Sequence, residues 1–244
     1  MREFRGDLHI HTCLSPCGDL DMHPRAIVDR ALAVGLDIIA VCDHNASENV
    51  RHVVKAVGER PLAVIGGMEI TSAEEVHVLA LFDSLDDLDR MQAIVYESLI
   101  GLNDERLFGI QAIVNERGEV EGFNERLLIG ATQIPLPELV GRIHEFGGLA
   151  VASHIDRESF SVISQLGFID AASGFDALEV SRVLGIAAAR LKFPQHLDYP
   201  FITSSDAHFI DEIGTAATRM CLESATQAEV RMAFERRGGR RLCE

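Results

Sequence analysis

Basic residues are scarce in this chain: 22 Lys and Arg stand against 38 Asp and Glu, leaving a formal net charge of -16 over 244 residues. Without a Lys/Arg stripe to displace counterions from phosphates, the composition predicts no adhesion to long nucleic acid. Long apolar runs are missing as well. None approaches the roughly 20 residues that a bilayer span requires, so no membrane partner is expected. The opening Met1-Arg2-Glu3-Phe4-Arg5 is charged and does not read as a secretory leader, which points to the cytoplasm. Cysteine offers no disulfide framework: the five thiols are odd in number, and Cys42 lies inside an apolar run. No Pro/Gly/Ser-rich linker, internal repeat or low-complexity tract divides the chain. With 47% hydrophobic residues it can bury one sizeable core, and it reads as a single domain over 1–244.

What the chain does have is histidine at the ends of apolar runs. In Asp7-Leu8-His9-Ile10-His11-Thr12 an extended backbone sends His9 and His11 to one side while Leu8 and Ile10 face the packing. Two imidazoles placed in this way can converge on one metal ion. Similar residues wait at other strand ends, in Cys42-Asp43-His44, Gly67-Met68-Glu69, Val76-His77, Ser153-His154 and Ser205-Asp206-Ala207-His208.

Apolar runs alternate with amphipathic stretches over much of the chain. Leu36 to Cys42 and Leu62 to Ile65 read as buried strands, and the stretches from Pro24 to Val34 and from Ala46 to Val57 read as helices. Val76 to Phe82 is a strand that opens at His77, and Leu85 to Leu99 is a helix with an acidic start. After an irregular middle come a helix over Pro137 to Phe146, strands over Leu149 to Ser153, Ala177 to Val180 and Phe201 to Thr203, and a helix over Ala225 to Arg236. Strands apolar on both faces and alternating with helices predict a parallel sheet covered on both sides, open or closed into a barrel. The segment 101–133 breaks this rhythm. Within it Gln111 to Asn115 and Val120 to Phe123 predict a hairpin around Glu116-Arg117-Gly118-Glu119, and such inserts are commonly lids.

His9, His11, His44, Glu69, His154, Asp206 and His208 thus fall where strands give way to loops, the edge at which α/β folds assemble their sites. Imidazole and carboxylate together suit zinc, manganese or iron, and one carboxylate such as Glu69 can bridge two ions. His77 is a further ligand candidate, and Cys17 and Asp19 compete for one more position. His23, His52, His144 and His196 have no matching partners and read as surface or capping residues. A lone histidine at a strand end is most often structural, but that reading does not stretch to the whole set.

These motifs resemble the PHP family, the polymerase and histidinol phosphatase domains: an HxH ending the first strand, a later DH, a Glu, two further histidines and a closing DxH. Here they are His9-Ile10-His11, Asp43-His44, Glu69, His77, His154 and Asp206-Ala207-His208. The resemblance implies a distorted (β/α)7 barrel with two or three divalent ions at its carboxyl end and a phosphoesterase activity. It implies that His9, His11, Glu69 and Asp206 hold one ion, that Glu69 bridges to a second held by His77 and His154, and that His44 and His208 hold a third. Where the family places an Asp or His shortly after the HxH, this chain has Ser15-Pro16-Cys17-Gly18-Asp19, leaving Cys17 or Asp19 as the ligand.

The expected reaction is hydrolysis of a phosphate ester, with Glu69, Asp206 and His208 at the centre. Bound ions would acidify water towards a pKa of about 7, and Arg157 and Arg182 would clamp a phosphoryl oxygen. The acidity favours a small phosphorylated metabolite, a nucleotide or a short oligonucleotide as substrate. An amidohydrolase and a non-catalytic metal-bound module are the rival readings. The sequence does not state an oligomeric state.

Overall fold

The computed structural model describes residues 1–243. Nine strands form one curled sheet, and two more form a separate hairpin. The first four strands are β1 (Arg2–Ile10), β2 (Ile38–Val41), β3 (Ala63–Thr71) and β4 (His77–Phe82). The hairpin is β5 (Ala112–Val114) with β6 (Val120–Phe123), and the sheet continues through β7 (Leu149–Ala152), β8 (Ala177–Val180), β9 (Phe201–Thr203), β10 (Thr218–Leu222) and β11 (Arg241–Leu242). The helices are α1 (Pro24–Ala33), α2 (Val50–Val57), α3 (Leu85–Ser98), α4 (Glu105–Phe108), α5 (Leu136–Glu145), α6 (Val162–Leu166), α7 (Gly185–Lys192) and α8 (Gln227–Phe234). Several follow from local chemistry. Pro24 occupies the first turn of α1, Ser84 caps α3 by accepting from Asp87 N at 3.2 Å, and Thr226 caps α8 by accepting from Glu229 N at 3.2 Å.

The strand order is β11-β10-β1-β2-β3-β4-β7-β8-β9. β1, β2 and β3 run parallel, as do β7, β8 and β9, but β4 is antiparallel to both its neighbours. The expected parallel sheet is therefore replaced by a mixed one, curled into a half-barrel. The connection from Thr71 to His77 is too short to hold a crossover helix, so the chain must turn back on itself. β10 and β11 add two antiparallel strands at the margin that the sequence pattern did not reveal. The curl brings β9 near β10, where the Thr218 hydroxyl accepts from Thr203 N at 2.9 Å and donates to Thr203 O at 2.8 Å. A parallel bridge between Ile10 and Ala207 joins β1 to the loop beyond β9 at the other end.

Two apolar layers result. The inner one holds Leu8, Ile38, Ala40, Ile65, Leu79, Leu81, Leu149, Val151, Ala177 and Ile202, with Val230, Ala233 and Phe234 of α8 packed against it. The outer one joins alternate strand residues to the faces of the surrounding helices. Gly67 lies in the inner layer, where a Cβ would come within 2.7 Å of the Cys42 sulfur and 3.1 Å of Val41 O, so only glycine fits.

Candidate metal centre

The inner face changes character within one pleat. Just past β2, and along β3 and β8, the inward residues Cys42, Gly67 and Ala177 are each followed two positions later by His44, Glu69 and Glu179. On the reversed β4 the same step runs backwards, from Leu79 to His77, so that strand's beginning lies beside the other strands' ends. This explains why His77 opens its strand instead of closing it. β1 uses another device. Its register slips between Asp7 and Ile10, and Leu8 packs in the inner layer while Ile10 packs in the outer one. The expectation that both leucine and isoleucine share one face is corrected by this bulge, which re-aims the histidine pair.

Glu69 is the hub. Its Oε1 lies 3.0 Å from His77 Nδ1, 3.2 Å from His154 Nε2 and 3.5 Å from His9 Nε2. Its Oε2 lies 3.1 Å from His44 Nδ1 and 3.5 Å from His11 Nε2. Asp206 Oδ1 sits 3.2 Å from His11 Nε2 and 3.4 Å from His9 Nε2. Three groups have ligand atoms close enough to share an ion: His9, His11 and Asp206; His11, His44 and His208; and His44, Glu69 and His77.

The hydrogen bonds of these side chains suit metal ligation. Nδ1 of His9 faces Glu179 Oε2 at 3.0 Å, and Nδ1 of His11 faces Ser15 Oγ at 3.0 Å, leaving both Nε2 atoms, 3.1 Å apart, to point into the same space. His208 sets its Nδ1 2.9 Å from Asp206 O, and its ring stacks on His11. His44 Nδ1 and His77 Nδ1 are buried, yet neither has a hydrogen-bond partner despite their closeness to Glu69. A cation between such lone pairs and the carboxylate would satisfy both.

The buried charges of these side chains offset one another. Burial works against ionised His9, but Glu179, Asp206 and Glu69 outweigh it and hold its pKa well above the usual histidine value. Burial, helped by His208 and His44, drives His11 well below it. Burial would raise Glu69 and Asp206, but the surrounding imidazoles hold both well below the ordinary carboxylate range. His44 is likewise held up at about 10 against burial, by its closeness to Cys17 and to the Glu69 carboxylate.

Supporting residues lie behind this layer. Asp43 accepts from Thr12 N at 2.7 Å, Thr12 Oγ1 at 2.8 Å and Ser15 Oγ at 2.6 Å, which pins the loop after β1. Asp7 accepts from Ser205 N and Gly214 N, each at 2.9 Å, and so anchors the loop that carries Asp206. Asn45, His154 and Asp206 all take positive φ, at 49°, 27° and 51°. Such backbone is costly for these residues and clusters at sites. Glu179 is a further member of the site that the strand-end pattern does not pick out; its one signal in the sequence is a carboxylate inside the apolar run Ala177-Leu178-Glu179-Val180.

The remaining candidates divide. Cys17 is exposed, and although burial of its sulfur raises its pKa, hydrogen bonds with His208 and His44 bring it down to about 6. Asp19 instead turns its Oδ1 to accept from Asp21 N at 2.8 Å. Arg157 Nη2 lies 2.5 Å from Asp206 Oδ2, at the centre itself. Arg182 pairs with Glu212 at 2.6 Å, and Glu212 in turn accepts from His208 N at 3.0 Å. His23 caps α1, and His144 pairs with Asp176. His52 is not a surface residue: it is buried on α2 against Glu116 of the hairpin, 3.3 Å away. The segment 101–133 is fastened beside the centre, since Ala112 N donates to Cys13 O at 3.0 Å and Asn49 Nδ2 donates to Ala112 O at 3.1 Å. No helix among the described residues is long and apolar enough to cross a membrane.

Comparison with known proteins follows the same lines. The profile described as "PHP domain" matches residues 7–160, and one described as "PHP-associated" matches 190–237. No curated protein matches. Among solved structures, the lesion-specific endonuclease PfuEndoQ of Pyrococcus furiosus superposes with a TM-score of 0.76 at 19% identity, covering 98% of this chain and 57% of its own. Endonuclease Q in complex with a 27-mer duplex bearing an abasic lesion at the active site gives 0.75 at 20% identity, covering 98% and 58%. PsfC of Pseudomonas syringae gives 0.58 at 16% identity, covering 94% and 88%. The chain thus spans little more than half the length of the endonucleases. The duplex complex overturns the expectation that long nucleic acid is excluded. Net charge summed over a whole surface does not decide what one edge of a fold accepts, because the field there is set by local groups and bound ions.

Proposed function

Because the chain belongs to the PHP domain family, we propose that it is a metal-dependent hydrolase that cleaves phosphodiester bonds of nucleic acid at the Glu69 centre. The observation that carries this reading is Glu69 itself, a buried carboxylate with imidazoles from β1, β4 and the loops after β1, β2 and β7 arrayed around both its oxygens. That arrangement suits several cations sharing one bridge. Its likeness in fold to an endonuclease with duplex at its active site supports the choice of nucleic acid.

In this reading His9, His11, Glu69 and Asp206 hold one ion, Glu69, His77 and His154 a second, and His44, His208 and Cys17 a third, the ions being zinc, manganese or iron. Such ions, when bound, acidify coordinated water and neutralise phosphoryl oxygens. Glu179 keeps the proton of His9 on Nδ1 so that Nε2 offers a lone pair, and Ser15 does the same for His11. Arg157 covers the outer oxygen of Asp206 and presents its remaining N–H groups to a phosphate entering beside it. Arg182, held by Glu212, serves the rim. The domain spans 1–244, with 101–133 as a lid that limits what reaches the centre.

The test is metal analysis of the purified protein followed by a substrate panel. Duplex with an abasic or deaminated base, intact duplex, single strands and mononucleotides are offered with each metal, to the parent and to His9→Ala. The parent should retain more than one transition metal per chain and cleave a nucleic-acid phosphodiester, and His9→Ala should lose both. A fully loaded parent that cleaves no phosphodiester refutes the proposal. Turnover of cyclic amides in its place would restore the amidohydrolase reading, and no turnover at all would leave a metal-bound module.

A further inference from the structure

Phe160 lies six residues after His154, in the loop between β7 and α6, and it holds a left-handed backbone at φ 57°. An aromatic residue pays for that conformation unless its surroundings enforce it. They do so from several sides. Phe160 O accepts from His77 N at 2.9 Å, Ser161 Oγ donates to Arg157 O at 2.8 Å, and Asp156 accepts from Ser181 N at 2.7 Å and from Ser181 Oγ at 2.5 Å. Held in this way, the ring lies nearly parallel to the His77 imidazole, with centroids 4.7 Å apart and planes at 16°. It is nevertheless 39% exposed, while His77 beneath it is buried. The same short loop carries Arg157, which lies on Asp206.

We propose that Phe160 is a specificity-determining residue whose open ring stacks on the nucleobase next to the phosphate bound at the Glu69 centre. This rests on the nucleic-acid reading above. A greasy ring left in solvent beside a polar centre gains nothing unless a flat partner covers it, and every base has a π-face whatever its identity. Stacking is therefore sequence-tolerant, which fits a site that selects a phosphate by its ions and accepts any neighbouring base. A base drawn out of a helix also needs a surface to replace the stacking it loses. The loop puts the phosphate clamp, Arg157, and the base platform three residues apart on one rigid turn.

The experiment measures binding by calorimetry on the metal-loaded protein, with deoxyadenosine 5′-phosphate and 2-deoxyribose 5-phosphate as probes, in the parent, Phe160→Leu and Phe160→Tyr. Metal content is measured for each protein. The parent should prefer the base-bearing probe, Phe160→Leu should lose about tenfold of that preference, and Phe160→Tyr should keep it. The affinity for the sugar phosphate and the metal content should not change. If the parent binds the two probes equally, or if Phe160→Leu keeps the preference, the stacking role is refuted while the nucleic-acid reading stands. If Phe160→Leu loses metal and both probes alike, Phe160 is only a cover for His77, and the stacking role is again refuted. If the parent binds neither probe, both readings fall.

Discussion

Replacing Glu179 by glutamine tests whether the layer behind the ligands tunes the centre. Glu179 is buried, holds His9 Nδ1 at 3.0 and 3.3 Å through its two oxygens, and accepts from His154 N at 3.2 Å. Glutamine keeps the shape and, with its oxygen in the place of Oε2, can still accept from both His9 Nδ1 and His154 N, but its amide group then replaces Oε1, the oxygen 3.3 Å from His9 Nδ1, and that bond is lost. Losing one buried hydrogen bond costs about 1–3 kcal/mol, and the negative charge that strengthens the His9 lone pair is lost as well. Removal of such outer partners typically lowers metal affinity about 10- to 100-fold, or roughly 1.4–2.7 kcal/mol. Competition against a chromophoric chelator should show that loss at the site holding His9, with the melting temperature of the metal-free protein as a control on folding. Affinity within threefold of the parent would show that His9 needs no anionic partner, and the account of the second layer would be wrong.

Other outcomes follow from the same geometry. With cobalt(II) in place of the native ions, the parent should show a near-ultraviolet thiolate charge-transfer band that Cys17→Ser abolishes and Asp19→Asn retains; the reverse pattern would give the last ligand to Asp19. Because His9, His44 and His208 are held above the ordinary histidine value, ion binding must expel their protons, so affinity should climb as pH rises towards the His44 value of about 10, with proton release visible in calorimetry across buffers. In the metal-free protein these histidines, held above their unfolded value, stabilise the fold below about pH 6.5, and that contribution is lost as pH rises through their raised pKa values. The lowered Glu69 and Asp206 act oppositely, stabilising above the unfolded carboxylate pKa and ceasing to do so as pH falls through their folded values. Deleting 115–122 with a glycine bridge should leave metal content unchanged and shift preference along a series from mononucleotide to tetranucleotide; identical kinetics would end the lid idea. Leu149→Ala, inside the sheet and far from any ligand, should cost about 2–5 kcal/mol in denaturant unfolding while leaving metal content intact.

How much of this was legible in the sequence depends on the range of the interaction. Apolar runs, caps and turn residues act over a few positions, so most of β1 to β4, β7, β8, α1, α3 and α5 could be read directly, with only their ends displaced. α2 begins at Val50 and not at Ala46, because Asn45 to Asn49 are occupied by bonds to other parts of the chain, such as Asn45 Nδ2 to Leu128 O and Asn49 Nδ2 to Thr12 Oγ1. β10 and β11 were missed because Thr218–Leu222 and Arg241–Leu242 are strands only through the partners they find.

The ligand residues were likewise visible by type and by their places at strand ends, since metal chemistry restricts the choice to a few side chains. Their grouping was not. The bulge in β1, the reversal of β4 and the left-handed turns at His154 and Asp206 arise from pairing between segments far apart in the chain, and only these bring His77 level with Glu69 and turn His9 inward. The same holds for Glu179 and Phe160. Each looks ordinary among its sequence neighbours and acquires a role from what the fold sets across from it. The sequence by itself determined which chemistry the chain can do; the tertiary structure decided which atoms face one another, because side-chain direction depends on register and curl, which no local stretch encodes.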